Sequence, residues 1–445
     1  MSSKNLAEES IQGTGGEAPP SLSGGPDALN PRSSVIMMLL LMASQVINQV
    51  DRAVLAVAAP DIMRDLGLSA GQYGLLASSF YFFHSITGIV VGLWLSHRIR
   101  PLLMVIWLIA IWAVVQIPPL IFASFATLLL SRIILGAAEG PSIAAAVAAT
   151  HEVFPPDKRS IPTSLIWIGA LVGAVAAPPG LAYSISLFGW RAGFALCALL
   201  SALLLIALLL AWRAGIGREA PPEHQASPPV ARPTPETGGA LRHWLHPAVV
   251  LITLAGFCSY WMTSFAFSWM FPMFNLGWGW GPVSASWATS FVFLWCSVPL
   301  LAVSFISQKM LRRGIDFKRS VILPVAACLL MGATFLIGAG LTEAVVGKFV
   351  LFALGVGLMP VVGATMTIVI SHVTPATHRN KLLLVLTASI AFAGLPSPYV
   401  SGLLIERSAE HGYDYAILCG AAIAALGGLL TLRLFFSNAV HPPKD

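Results

Sequence analysis

Residues 34–59 read SVIMMLLLMASQVINQVDRAVLAVAA. As a helix this run is long enough to cross a bilayer, for which about 20 apolar residues suffice. Yet its interior carries Asp51 and Arg52 side by side. A charge at the bilayer centre costs about 2.5–3.5 kcal/mol on insertion scales, so such residues face a bundle interior or a water-filled path and mark function. One stretch therefore predicts a helical membrane protein and also where its site lies.

The rest of the chain agrees. Of its 445 residues 57% are hydrophobic and 10% charged, against about 25% charged in a soluble domain. Eleven further apolar stretches follow, near 72–96, 101–120, 124–149, 161–186, 190–212, 246–274, 285–307, 320–340, 346–373, 382–406 and 414–436. A polar, proline-rich segment at 213–245 splits the twelve six and six. The expected architecture is all-α, with twelve transmembrane helices in two six-helix pseudo-repeat halves, 34–212 and 246–437. Residues 1–33, rich in Gly, Ser, Pro and Glu, read as a disordered tail rather than a signal peptide, and 438–445 as a short second tail. An offset of about 212 residues lays the first helix on the seventh, and the basic turn Ser96–Arg100 on Gln308–Arg312, as an internal repeat requires.

The net charge of +6 would suggest nucleic acid in a soluble chain, but here its distribution explains it. Nineteen of the 25 Lys and Arg fall on the side of the N-terminus, and four, Arg64, Arg191, Lys348 and Arg407, on the other. The positive-inside rule then places both termini in the cytoplasm. The absence of an Asn-x-Ser/Thr sequon fits a bacterial inner membrane. Five cysteines, each alone in an apolar stretch, read as small core residues.

Arg132 and Glu139 add two more charges, within the fourth stretch. They are seven residues apart, two helical turns, and so share a face at roughly 10 Å along the axis. Counted from the helix ends, Asp51, Arg52 and Arg132 share a depth and Glu139 sits nearer the midplane. A carboxyl held between desolvation and a neighbouring arginine changes protonation readily when water or an anion reaches it. Arginine stays charged and presents a planar fork that matches a carboxylate. Asp51 and Glu139 are therefore assigned to proton handling and Arg52 to anion binding. The alternative is a static ion-pair cluster that only fixes helix packing.

His84, in SSFYFFHSITG, could donate to an anion or relay a proton, or could be a hydrogen-bonded structural histidine. From the second half, read as having no buried charge, Tyr260 and Ser264 are the candidate substrate contacts. Gly and Pro clusters such as Gly169, Gly173, Pro178 and Pro179 suit close packing of helices, rocking of kinked helices, or both.

These blocks resemble a known group. Asn48-x-x-Asp51-Arg52, Arg132 with Gly136 and Glu139, and Gly189-Trp190-Arg191 are similar to motifs of the anion:cation symporter family within the major facilitator superfamily. The similarity is strong over residues 45–200 and weaker beyond 250. It implies proton-coupled import of a small organic anion, a sugar acid or an aromatic acid, by alternating access. It further implies that Asp51 and Glu139 couple protons, Arg52 engages the substrate carboxylate and Arg132 pairs with Glu139. Its partners would be the anion, protons and lipid, with a functional monomer and neither cofactor nor metal.

Three departures stand out. Ser96 occupies the place of the aspartate in the family's loop after the second helix, His84 that of a substrate-site tyrosine, and Ile390–Ala391 that of a polar asparagine. The last two make a less hydroxylated carboxylate as well supported as a sugar acid. Against an exporter of the same fold, Ala177-Pro178-Pro179-Gly180 is a poor copy of the exporters' Gly-Pro-x-x-Gly-Gly block. A membrane-embedded enzyme finds no metal cluster, nucleophile elbow or phosphate loop here. A non-transporting sensor would bind the anion without flux.

Overall fold

A computed structural model describes residues 31–95, 98–216, 245–438 and 440. Among the described residues twelve helices are long and apolar enough to cross a membrane: α1 (Arg32–Leu66), α2 (Ala70–Trp94), α3 (Pro101–Ile121), α4 (Phe125–Val153), α5 (Ser160–Phe188), α6 (Trp190–Arg213), α7 (Pro247–Gly277), α8 (Pro282–Arg312), α9 (Lys318–Leu341), α10 (Val345–Val373), α11 (Val385–Glu406) and α12 (Gly412–Phe436). No strand occurs among the described residues. The tail at 1–30, residues 217–244 of the expected central segment, Ser96 and His97 of the basic turn, and 441–445 lie outside them.

Several helices outrun their apolar cores. α1 passes through Pro60 to Leu66 because its polar last turns are held, Arg64 by Asp61 at 2.7 Å and Asp65 by the Trp190 indole at 3.0 Å. α2 starts at a capping box, in which the Ser69 hydroxyl and the Gln72 side chain satisfy each other's backbone N–H groups.

The breaks matter more than the starts. The regular part of α3 ends at Val115, with Gln116 as its cap, and the chain resumes at Pro118. In α4 it ends at Glu139, and Gly140–Pro141 separate it from Ser142–Val153. Proline has no N–H for the helical ladder, so it loosens the turn before it. Both breaks leave a polar side chain at the interruption.

Helices α1–α6 pack among themselves, as do α7–α12, and the two groups meet along α2–α11, α5–α8 and α1–α7. Small residues permit the closest crossings. A methyl group at Gly136 would run into the Phe80 carbonyl, bringing α4 against α2, and one at Gly402 into the Ala70 carbonyl, bringing α11 against α2.

Candidate functional site

Asp51 and Arg52 are neighbours in sequence, but successive residues of a helix point about 100° apart. The fold sends them to different places. Asp51 is wholly buried between α1, α3, α4 and α6. Its Oδ1 accepts from Gln116 Nε2 at 3.0 Å, and the Cys197 thiol faces the same carboxyl. Arg132 completes this sealed cluster by donating to Gln116 Oε1 and to the Asp51 backbone carbonyl, both at 3.3 Å. Its guanidinium lies 5.6 Å from the Phe194 ring centre. Gln116 thus stands between acid and base, acceptor to one and donor to the other.

Arg52 points the other way. Its Nη2 lies 3.4 Å from Glu139 Oε2, and the rings of Phe80 on α2 and Phe267 on α7 flank it at 5.3 and 5.5 Å. Behind Glu139, Asn48 Nδ2 approaches Ser142 Oγ at 3.5 Å across the α4 break. His84 stacks on Phe80, with centroids 5.6 Å apart. Several polar atoms here are buried without a hydrogen-bond partner: Asp51 Oδ2, the Nε of both arginines, Glu139 Oε1 and His84 Nδ1. Buried polar atoms are nearly always satisfied, so such a concentration marks a site with bonding capacity in reserve.

Arg52, His84 and Glu139 line a cavity of about 1100 Å³ between the two groups of helices. It runs to Ile99, Pro101 and Thr163, at the end where Arg98, Arg100, Lys158 and Arg159 lie. Beyond Arg52 lies a void of about 20 Å³ between Arg52, Arg132, Tyr73 and Tyr81. That is room for about one water.

The other end is shut by contacts between the groups. Glu406 Oε2 accepts from Ser69 Oγ and from the Gly71 N–H, both at 3.1 Å. The Tyr73 hydroxyl donates to the Ser268 carbonyl at 2.8 Å, and the Tyr399 N–H to the Ser78 hydroxyl at 3.1 Å.

A twelve-helix bundle with a central, one-ended cavity and charges in its wall is a transporter's architecture. The sequence profile of the Major Facilitator Superfamily matches residues 41–398. The chain belongs to that superfamily. Among curated proteins it is similar to a hexuronate transporter of Bacillus subtilis (strain 168), with 28% identity over 89% of this chain and 93% of that one. It is also similar to a probable sulfoacetate transporter of Cupriavidus necator, with 23% identity over 94% and 97%. Among solved structures it shares the fold of a bacterial homologue of the human lysosomal transporter Spinster, at TM-score 0.77 and 18% identity, covering 93% of this chain and all of the other.

In this facilitator the expected site residues divide into three groups. Arg52, His84, Tyr260 and Glu139 meet at the cavity. Asp51 and Arg132 lie together, joined by the bond from Arg132 to the Asp51 carbonyl, but are sealed behind it. Ser264 is fully buried and donates to the Tyr260 and Trp261 carbonyls at 3.0 Å, the habit of a serine inside a membrane helix, so it does not line the cavity.

Among the described residues it is Arg52 of α1 whose guanidinium comes within 3.4 Å of Glu139, while Arg132 donates to Gln116 and to the Asp51 carbonyl. Gln116 was missed, although a lone amide in an apolar helix just before Pro118–Pro119 is an available signal. Phe267 was missed too, since nothing local distinguishes it among the aromatics of α7.

Proposed function

We propose that this facilitator is a secondary active transporter that imports a small organic anion together with protons, by alternating access. The observation that carries the proposal is the Arg52–Glu139 pair, 3.4 Å apart in the cavity wall, each partner with an unsatisfied atom. An incoming carboxylate competes with Glu139 for the guanidinium. Once displaced, Glu139 is a desolvated carboxylate without its counter-charge, and taking up a proton relieves that penalty. Anion binding and protonation of Glu139 therefore favour each other, which is the thermodynamic content of symport. Asp51, isolated from the cavity by Gln116 and Arg132, is the second proton site, reached when the opposite end opens.

The names of the similar hexuronate and sulfoacetate transporters support an organic anion as substrate. The basic residues around the cavity's wide end support its assignment as the cytoplasmic end, with both termini on the same side. The six-helix halves act as the rocking units, joined by the segment at 213–245.

The test is proton movement in proteoliposomes challenged with organic anions. Glu139→Gln is expected to abolish accumulation driven by a proton gradient while sparing anion binding and exchange. Normal accumulation by that variant would end the coupling role. Arg52→Ala is expected to lose anion binding altogether, and unchanged affinity would remove it from the substrate site. Anion efflux driven by inward proton flow would favour an exporter instead.

A further inference from the structure

Resting on that reading, the sealed cluster shows how an acid can exchange a proton while an arginine lies beside it. Opposite charges buried a few ångströms apart ordinarily close into a direct pair, and a carboxylate so paired keeps its charge. Such an acid carries no proton. Asp51 and Arg132 are arranged otherwise. The guanidinium bonds the backbone carbonyl of Asp51 and the amide oxygen of Gln116, and the Asp51 carboxylate takes its bond from the other end of that amide.

The chemistry of the three groups fixes which way the amide lies. A guanidinium has only N–H donors, so it demands the amide oxygen. Gln116 must then turn its NH2 group to Asp51, where it donates to Oδ1 at 3.0 Å. Oδ1 accepts that bond equally well whether the carboxyl is ionised or protonated, since a carbonyl oxygen is also an acceptor. The proton therefore belongs on Oδ2, the oxygen that is buried without a hydrogen-bond partner.

Few other charges compete for this carboxyl. The Cys197 thiol of α6 faces it, and Glu139 at the cavity is the other acid that acts on it. Tyr73 of α2 faces Arg132, and Tyr260 of α7 faces Arg52. α5, which packs along α1, is apolar from Gly169 to Pro179.

We propose that Gln116 is a positioning residue for proton coupling. Oriented by Arg132, it keeps the guanidinium off the Asp51 carboxylate and leaves Oδ2 as the atom that gains and loses the second proton.

The experiment is infrared difference spectroscopy of the purified intact protein as pH is varied, which needs no substrate. The carbonyl stretch of a protonated carboxyl that disappears in Asp51→Asn reports the titration of Asp51. Gln116→Ala opens room for a direct Asp51–Arg132 pair, and the midpoint of that band is expected to move to lower pH by about 1–3 units, the effect of an adjacent opposite charge. Gln116→Glu, of the same length, places a second carboxylate beside the first, and the band is expected to persist to higher pH. A merely structural Gln116 would lower the unfolding temperature of both variants and leave the midpoint where it was. An unmoved midpoint in folded protein overturns this inference and leaves Asp51 as a proton site. If no band is sensitive to Asp51→Asn wherever the protein stays folded, the second proton site of the proposed function falls, and this inference with it.

Discussion

At the scale of single residues, the site depends on a helix turning adjacent side chains apart. Asp51 and Arg52 are legible in the sequence as charges that must be accommodated, and so are Arg132 and Glu139. Which of them pair is not legible, because four side chains on two helices admit several pairings and a third helix decides among them. That helix supplies Gln116, which separates Asp51 from Arg132 and leaves Arg52 for Glu139. Gln116→Leu removes the partner of one oxygen and one N–H, each costing about 1–3 kcal/mol when left buried and unpaired. The expected outcome is a clear fall in the unfolding temperature of the purified protein in detergent. The double substitution Asp51→Leu with Gln116→Leu is expected to cost less than the sum of the two single ones, since it also removes the stranded carboxylate. Strict additivity would show that the two residues do not act together.

Among the helices, α2 crosses α11 closely at the shut end, and under the proposed function this crossing is the gate. Gly74 and Gly402 allow it, because a side chain on either would strike the backbone of the opposing helix. Such glycines are visible in sequence, but whether they serve packing within one half or contact between halves is not. Gly402→Leu is expected to hold this end apart. Uptake should fall to background while the variant still folds and still binds the anion in detergent, and wild-type uptake would mean that the crossing is no gate. Glu406→Gln is a gentler probe of the same closure. An exposed charged contact contributes at most about 1 kcal/mol, so transport rates should shift by no more than roughly fivefold. The breaks in α3 and α4 belong to this scale as well. Pro118 and Pro141 can be read from the sequence as interruptions, yet only the packed helices show that Gln116 and Glu139 sit at those interruptions and are aimed at α1.

For the whole molecule, the asymmetry of open and shut ends is what makes transport possible. A thiol-reactive probe that does not cross membranes should label Ala144→Cys, on the cavity wall, from the cytoplasmic face. It should not label Ser78→Cys, buried under Tyr399 at the shut end, from the outside. The background for both would lack the five native cysteines, none of which is in a disulfide. Labelling of Ala144→Cys from the outside alone would reverse the assigned orientation. The sequence by itself determined the twelve spans and the presence of a charged site, because hydropathy and the cost of a charge in lipid are properties of local composition. Tertiary structure alone decided that Arg52 holds Glu139, that Asp51 is sealed, and that Ser264 turns from the cavity to backbone carbonyls. Those outcomes depend on which way each helix is rotated and what it meets. That is settled by packing between segments more than sixty residues apart, which no local pattern encodes.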